Sequence, residues 1–192
     1  MRLWLIDAGY LFNAQRCVAP GYHFDYLKLR NKLEEQEPVW RAYYLNSSRN
    51  PSTDAQDSFH TWLRSAPPRG PQIITKLYGL KQVGADRAYC EQCHAKVGLR
   101  CPNDPTHSII NEQQKGIDVG IATLSLIHRE KYDTLLLSSG DGDLLDMVEF
   151  LSEQGKRIEL AVFTDGVSTE LQARADDVFW INDFAEEVQR DK

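Results

Sequence analysis

The chain has 192 residues, with 22 Lys+Arg, 28 Asp+Glu, a formal net charge of -6 and 42% hydrophobic residues. That is one domain of ordinary globular composition, which excludes a disordered polymer, a collagen-like repeat and a coiled coil. No apolar run approaches the roughly 20 residues of a membrane span, and Leu3-Trp-Leu-Ile6 stops at Asp7, so neither a membrane protein nor a signal peptide is expected. The acidic balance argues at first against nucleic acid as a partner. It hides an asymmetry, however: residues 1–100 carry 14 Lys+Arg against 9 Asp+Glu, and residues 101–192 carry 8 against 19. A basic half beside an acidic half predicts a polarised surface.

Residues 2–7 read as a buried strand ending in a carboxylate. Phe24, Leu27, Leu29 and Leu33 predict a helix over 24–35, and Pro38 precedes a strand over 39–45. Asn50-Pro-Ser-Thr-Asp54 is a turn and helix start, leading to Phe59, Trp62 and Leu63 at helical spacing. Pro67-Pro-Arg-Gly-Pro71 is a break, followed by a strand over 72–80. Residues 86–110, rich in Cys, His and Pro, read as an inserted module. Asn111-Glu-Gln-Gln114 resembles a capping box and predicts a helix from there to about 129. A strand over 134–137, a helix over 142–154 closed by Gly155 and a strand over 157–163 follow. A short helix over 168–174, a strand over 178–181 and a terminal helix capped by Asn182 complete the chain. Strands alternating with helices, the inner strands being continuous apolar runs, predict one α/β domain with a mainly parallel sheet covered on both faces.

In such sheets ligands bind outside the carboxyl ends of the strands. Asp7 ends the first strand, and Asp141 and Asp143 follow a later one in Ser138-Ser-Gly-Asp-Gly-Asp143. Asp118 is expected about two turns into the helix beginning near Asn111. Each acid alone is ordinary: Asp141 or Asp143 could simply cap a helix. Together they repel unless a cation joins them, and hard oxygen ligands suit Mg²⁺ or Mn²⁺.

Leu5-Ile-Asp-Ala-Gly-Tyr-Leu11, Gln114-Lys-Gly-Ile-Asp-Val-Gly-Ile-Ala122 and Leu137-Ser-Ser-Gly-Asp-Gly-Asp-Leu144 resemble the three signature blocks of the NYN domain family. The closest likeness is to its LabA-like branch, within the PIN-like nuclease superfamily. Gly155-Lys-Arg-Ile-Glu-Leu160 and Ser168-Thr-Glu-Leu-Gln-Ala-Arg-Ala-Asp176 resemble the family's later strand and helix, so the likeness runs over nearly the whole chain. It implies a Rossmann-like three-layer sandwich with ribonuclease activity, and it puts Asp7, Asp118, Asp141 and Asp143 at the acidic catalytic metal site. One position departs: many members have Asn three residues after the first Asp, where this chain has Tyr10.

Cys90-Glu-Gln-Cys93, with Cys101 and His107 beyond it, has the spacing of a tetrahedral Zn²⁺ site. His94 competes with His107 for the fourth position, though adjacency to Cys93 makes joint ligation awkward. Without a second C-x2-C pair this is no ordinary zinc ribbon, and the expected role is structural. Cys17 reads as a packing or inert thiol. Four cysteines without a signal peptide fit a reducing, cytoplasmic setting better than a disulfide framework.

Residues 41–100 carry nine Lys+Arg against four Asp+Glu. Arg41, Arg49, Lys76, Lys81 and Arg87 are the candidate substrate contacts. Tyr43, Tyr44, Trp62, Tyr78 and Tyr89 are interleaved and available to stack on unpaired bases. The sequence therefore points to a metal-dependent nuclease acting on RNA, with DNA as the other substrate. A non-catalytic RNA-binding or regulatory adaptor is the alternative. A phosphatase fits poorly, because Asp141-Gly-Asp143 follows a late strand. The last strand, or the terminal helix around Phe184 and Val188, is the expected place for a homodimer contact, with plain packing as the simpler reading.

Overall fold

The computed structural model describes residues 1–48 and 51–191; Arg49 and Asn50, a substrate candidate and the start of a predicted turn, lie outside them. The main sheet is built from β1 (Arg2–Asp7), β2 (Val39–Ser48), β3 (Ile74–Gly79), β8 (Thr134–Ser138), β9 (Arg157–Val162) and β10 (Asp177–Trp180). All its strands are parallel, in the order β10-β9-β8-β1-β2-β3. From β1 the chain builds outward through β2 and β3, then returns to the other side of β1 for β8. That reversal places a switch point between β1 and β8.

β1 shows why the sheet is a central layer. Leu3, Trp4, Leu5 and Ile6 are all fully buried, and alternate side chains reach opposite faces. Trp4 and Ile6 join the core under α1 (Ala8–Ala14), α2 (Tyr26–Glu34) and α3 (Asp54–Arg64), with Leu11, Leu29, Leu33 and Leu63. Leu3 and Leu5 join the other core, under α4 (Ile117–Ile127), α5 (Leu145–Glu153) and α6 (Thr169–Arg174), with Ile121, Leu124, Val148 and Leu171. The result is the expected three-layer α/β sandwich. Helix starts are chemically marked: the Leu27 and Lys28 amides donate to Asp25 at 2.7 and 3.0 Å, and Thr53 with Gln56 forms a capping box.

The structure departs from the local sequence pattern at several points. α1 follows Asp7 directly and was not anticipated; it is only seven residues long, with Gly9 in its first turn. Asn111 opens no helix: Ile110–Gln113 is a strand, β7, paired antiparallel with β4 (Lys81–Gly84). Ladder bonds to another segment override the local capping pattern, and α4 starts only after Gly116, whose φ of 87° closes the strand path. Asp118 thus stands in the first turn of its helix rather than two turns in. Residues 86–110, read as an inserted module, follow β4 and run to the first residue of β7. β4 and β7 form its stalk, which carries the hairpin β5 (Arg87–Tyr89) and β6 (Lys96–Gly98).

The chain end is also not α-helical. Ile181–Phe184 is a 3-10 turn, and the Asn182 side chain accepts from the Thr164 amide at 2.9 Å instead of capping a helix. Val188 is fully buried, and its carbonyl accepts from the Asp25 amide at 2.8 Å. Phe184 packs against the same core, so this segment is part of the fold and not a free face for a second copy.

Candidate metal-dependent active site

β1 and β8 deliver their C-terminal ends side by side, Ile6 pairing with Ser138. Asp7 caps α1: its Oδ1 accepts from the Tyr10 amide at 3.0 Å, and its Oδ2 faces the Ser139 hydroxyl at 3.4 Å. Asp141 caps the 3-10 turn Gly142–Leu144, accepting from the Asp143 amide at 3.0 Å. The helix-cap reading of Asp141 therefore holds, and capping leaves the rest of its carboxylate facing the cleft. Asp118 approaches from α4. That helix is pressed close to the sheet at Gly120, where an added Cβ would run into the Tyr78 hydroxyl and Leu45. The same Tyr78 ring covers Gly116, so this aromatic, a stacking candidate from sequence, instead packs against the helix that carries Asp118.

The four acids act on one another. Burial raises the Asp7 carboxyl above the usual range, the Tyr10 amide opposes it, and the charge of Asp118 adds to the rise. Burial likewise raises Asp118, reinforced by the charges of Asp141 and Asp143. Among the described residues no three His, Cys, Asp or Glu side chains come close enough together to enclose an ion. Two of the four, Asp7 and Asp141, line an open cleft of about 400 Å³ with Tyr10, Asn13, Gln114 and Asp165, whereas Asp118 and Asp143 are not among its lining residues. An open cleft of this kind leaves room for a divalent cation to keep several of its waters.

Asp165 and Gln114 were not read as cleft residues from sequence. Asp165 follows β9 in Thr164-Asp-Gly166, and a strand followed by Asp-Gly is the signal that marks it. Tyr10 does not replace the family amide in function. Its hydroxyl faces the Phe163 and Asp165 carbonyls at 2.9 and 3.1 Å, tying the loop after β9 to α1. Asn13, one turn further on, is the amide that reaches the cleft.

A second, larger groove of about 920 Å³ shares Gly9, Asn13 and Gln114 with the acidic cleft. Phe12, Asn46, Gln56, His60 and Trp62 line it. Phe12 is 55% exposed, with the Arg16 guanidinium 5.6 Å from its ring centre. The basic candidates are scattered. Arg41 pairs with Leu3, four residues before the partner of Asp7, and is therefore about 13 Å down the strand. There it lies over Trp40, away from the cleft. Lys76 pairs with Leu45 at the level of Asp7. Lys81 is on the stalk, and exposed Arg87 on the hairpin. Tyr43 and Tyr44 are buried in the two cores, whereas Tyr89 is 64% exposed.

A doubly wound parallel sheet with an acid-lined cleft at its switch point defines the class: a Rossmann-like α/β protein with its site where such sheets place one. The chain belongs to the NYN domain family, which matches residues 4–182 and lies within the PIN-like nuclease superfamily. That family is one of nuclease-like proteins that typically use divalent metals. The fold is similar to the crystal structure of a protein of unknown function from Vibrio parahaemolyticus RIMD 2210633. The TM-score is 0.65 at 20% identity, over 98% of this chain and 95% of that one. Among curated proteins none matches the chain. No helix of the described residues is long and apolar enough to cross a membrane.

The raised carboxyls make a stability prediction with a definite sign. Asp7 and Asp118 hold protons more tightly folded than unfolded, so metal-free stability falls as pH rises from the unfolded carboxyl range through the higher folded values. Asp118→Asn removes one of the mutually repelling charges. In EDTA at pH 7 it should melt roughly 2–4 °C above the parent, the gap closing as pH falls toward about 3.9. Calorimetry across that pH range checks it; a lower melting temperature for the variant at pH 7 refutes it.

Proposed function

We propose that the protein is a metal-dependent phosphodiester hydrolase that cuts RNA in the cleft between Asp7, Asp118 and Asp141. The observation that carries this reading is the convergence of acids from β1, α4 and the turn after β8: burial and the charge of Asp118 raise Asp7, and burial and the charges of Asp141 and Asp143 raise Asp118. Uncompensated charge is costly there, and a divalent cation relieves it. Asp7, Asp118 and Asp141 would hold the ion, with exposed Asp143 at the rim. When bound, Mg²⁺ or Mn²⁺ supplies Lewis-acid stabilisation of the charge that develops on the phosphoryl oxygens and makes a neighbouring water more acidic.

The chain's own groups do the rest. One of the aspartates that would hold the ion can also accept the proton of the attacking water. Asp7 and Asp141 are held in place by the amide bonds of their caps, so their orientation is set before substrate arrives. Asn13 and Gln114 stand where the cleft meets the larger groove and can bond the sugar-phosphate on that side. The groove is rich in amides and hydroxyls and carries an exposed Phe12, which suits an unpaired RNA strand with bases to stack and 2′-hydroxyls to bond. Lys76, Lys81 and Arg87 lie on β3, the stalk and the hairpin and are assigned to phosphates leaving the cleft. Four unpaired thiols fit a reducing, cytoplasmic setting.

Labelled single-stranded RNA, DNA of the same sequence and a generic phosphomonoester, each incubated with Mn²⁺, test the proposal. RNA should be cleaved and EDTA should stop it. Cleavage that survives EDTA overturns it, and tight RNA binding without cleavage identifies the adaptor instead.

A further inference from the structure

The inserted arm holds three of the chain's four cysteines and two of its five histidines. At the tip of the β5–β6 hairpin the backbone turns tightly about Cys90. The His94 amide donates to the Cys90 carbonyl and the Cys90 amide to the Ala95 carbonyl, both at 2.9 Å. Cys93 lies within the turn that these two bonds close. This turn brings two thiols together. It also disposes of His94, whose φ of 54° makes the turn and whose ring leans on Tyr89, centroids 6.4 Å apart.

The second pair lies further along the arm. Cys101 Sγ is 3.7 Å from His107 Nδ1. Zn–S bonds of about 2.3 Å and Zn–N bonds of about 2.0–2.1 Å at the tetrahedral angle separate sulfur from nitrogen by about 3.6 Å. The other ring nitrogen, Nε2, is 3.4 Å from the Asp104 carboxylate. Asp104 is itself fixed by the Thr106 amide and hydroxyl at 2.8 and 2.7 Å. A carboxylate behind the far nitrogen is the usual outer partner of a metal-ligating imidazole, since it sets the tautomer and aims the ring. Packing does not hold the arm in shape: every residue from 91 to 100 is exposed. So little burial does not offset the entropy of ordering the segment, which is the situation a structural metal resolves.

We propose that the arm binds one zinc ion through Cys90, Cys93, Cys101 and His107 Nδ1. The ion joins two pairs that are each assembled but are not gathered around one point among the described residues. With all four positions filled by the protein, the site is structural, and Asp104 positions its histidine. The inference stands apart from the nuclease reading, because these ligands are on the arm and the carboxylates are in the cleft.

The test is elemental analysis of protein purified without chelator, with cobalt substitution for a thiolate charge-transfer band. The parent, His94→Ala and Cys17→Ser should each carry about one zinc per chain. Cys101→Ser and His107→Ala should lose it, and Asp104→Ala should bind it about 10–100-fold more weakly in chelator competition. Zinc far below one per chain in the parent overturns the proposal. Loss in His94→Ala with retention in His107→Ala does so too. Should the ligand variants not fold, the parent alone decides: chelation should make the arm protease-sensitive while the sheet resists. Equal cleavage of the arm with and without zinc counts against the site.

Discussion

Asp141→Asn is expected to lower Mn²⁺-dependent RNA cleavage by at least about 100-fold while melting within about 2 °C of the parent. The two halves of that expectation have different causes. Asp141 caps the turn after β8 through one oxygen that accepts from the Asp143 amide, and Asn caps a helix start as well as Asp does. The fold therefore loses little. The charge is another matter, because under the proposed function a neutral amide at this position would leave the cleft one anion short of what a divalent cation needs. RNA cleavage assays over a range of Mn²⁺ concentrations, beside thermal melts of both proteins, check the pair of outcomes. Parent-level cleavage by the variant would remove Asp141 from the site.

Gly140→Ala should damage both fold and activity. An added Cβ would run into the Gly166 carbonyl and also sit 2.8 Å from Tyr10 Cε2. Neither neighbour is free to yield. Gly166 belongs to the loop held by the Tyr10 hydroxyl, and the Gly140 carbonyl itself accepts from the Ser168 amide at 2.9 Å. Overpacking of this kind costs about 1–3 kcal/mol, which for a chain of this size lowers the melting temperature by roughly 3–10 °C. The backbone shift moves Asp141, so cleavage should fall more than stability alone explains. Melting temperature and kcat measured together test this, and an unchanged kcat would mean that the turn tolerates movement without losing the site.

The contact also explains Tyr10. Where many relatives carry an amide, this chain uses an aromatic ring to pack against Gly140 and a hydroxyl to hold the loop bearing Asp165. In the sequence the position stands out only as a departure from the family pattern. In the folded protein it ties together two of the loops that build that site, while Asn13 reaches the cleft one turn later.

The buried parallel sheet and most of the helices that cover it could be read from the chain alone, because continuous apolar runs and capped amphipathic stretches are local patterns. The acids at strand ends were legible for the same reason. What local pattern could not supply was whatever depended on a distant partner. Asn111-Glu-Gln-Gln114 has the residues of a helix cap, yet pairs as a strand because β4 lies beside it. Val188 ends a segment with helical spacing, yet the chain end is pinned by Asp25 and buried.

Asp165 and Gln114 reach the cleft only because β9 and the stalk happen to end beside it. His107 lies against Cys101 and Asp104, whereas His94 leans on Tyr89, a difference that neighbouring positions in sequence do not decide. Local sequence sets which residues are available and which elements they form, since those depend on neighbours a few positions away. Which of them meet is decided by ladder pairing and by packing between residues far apart in the chain.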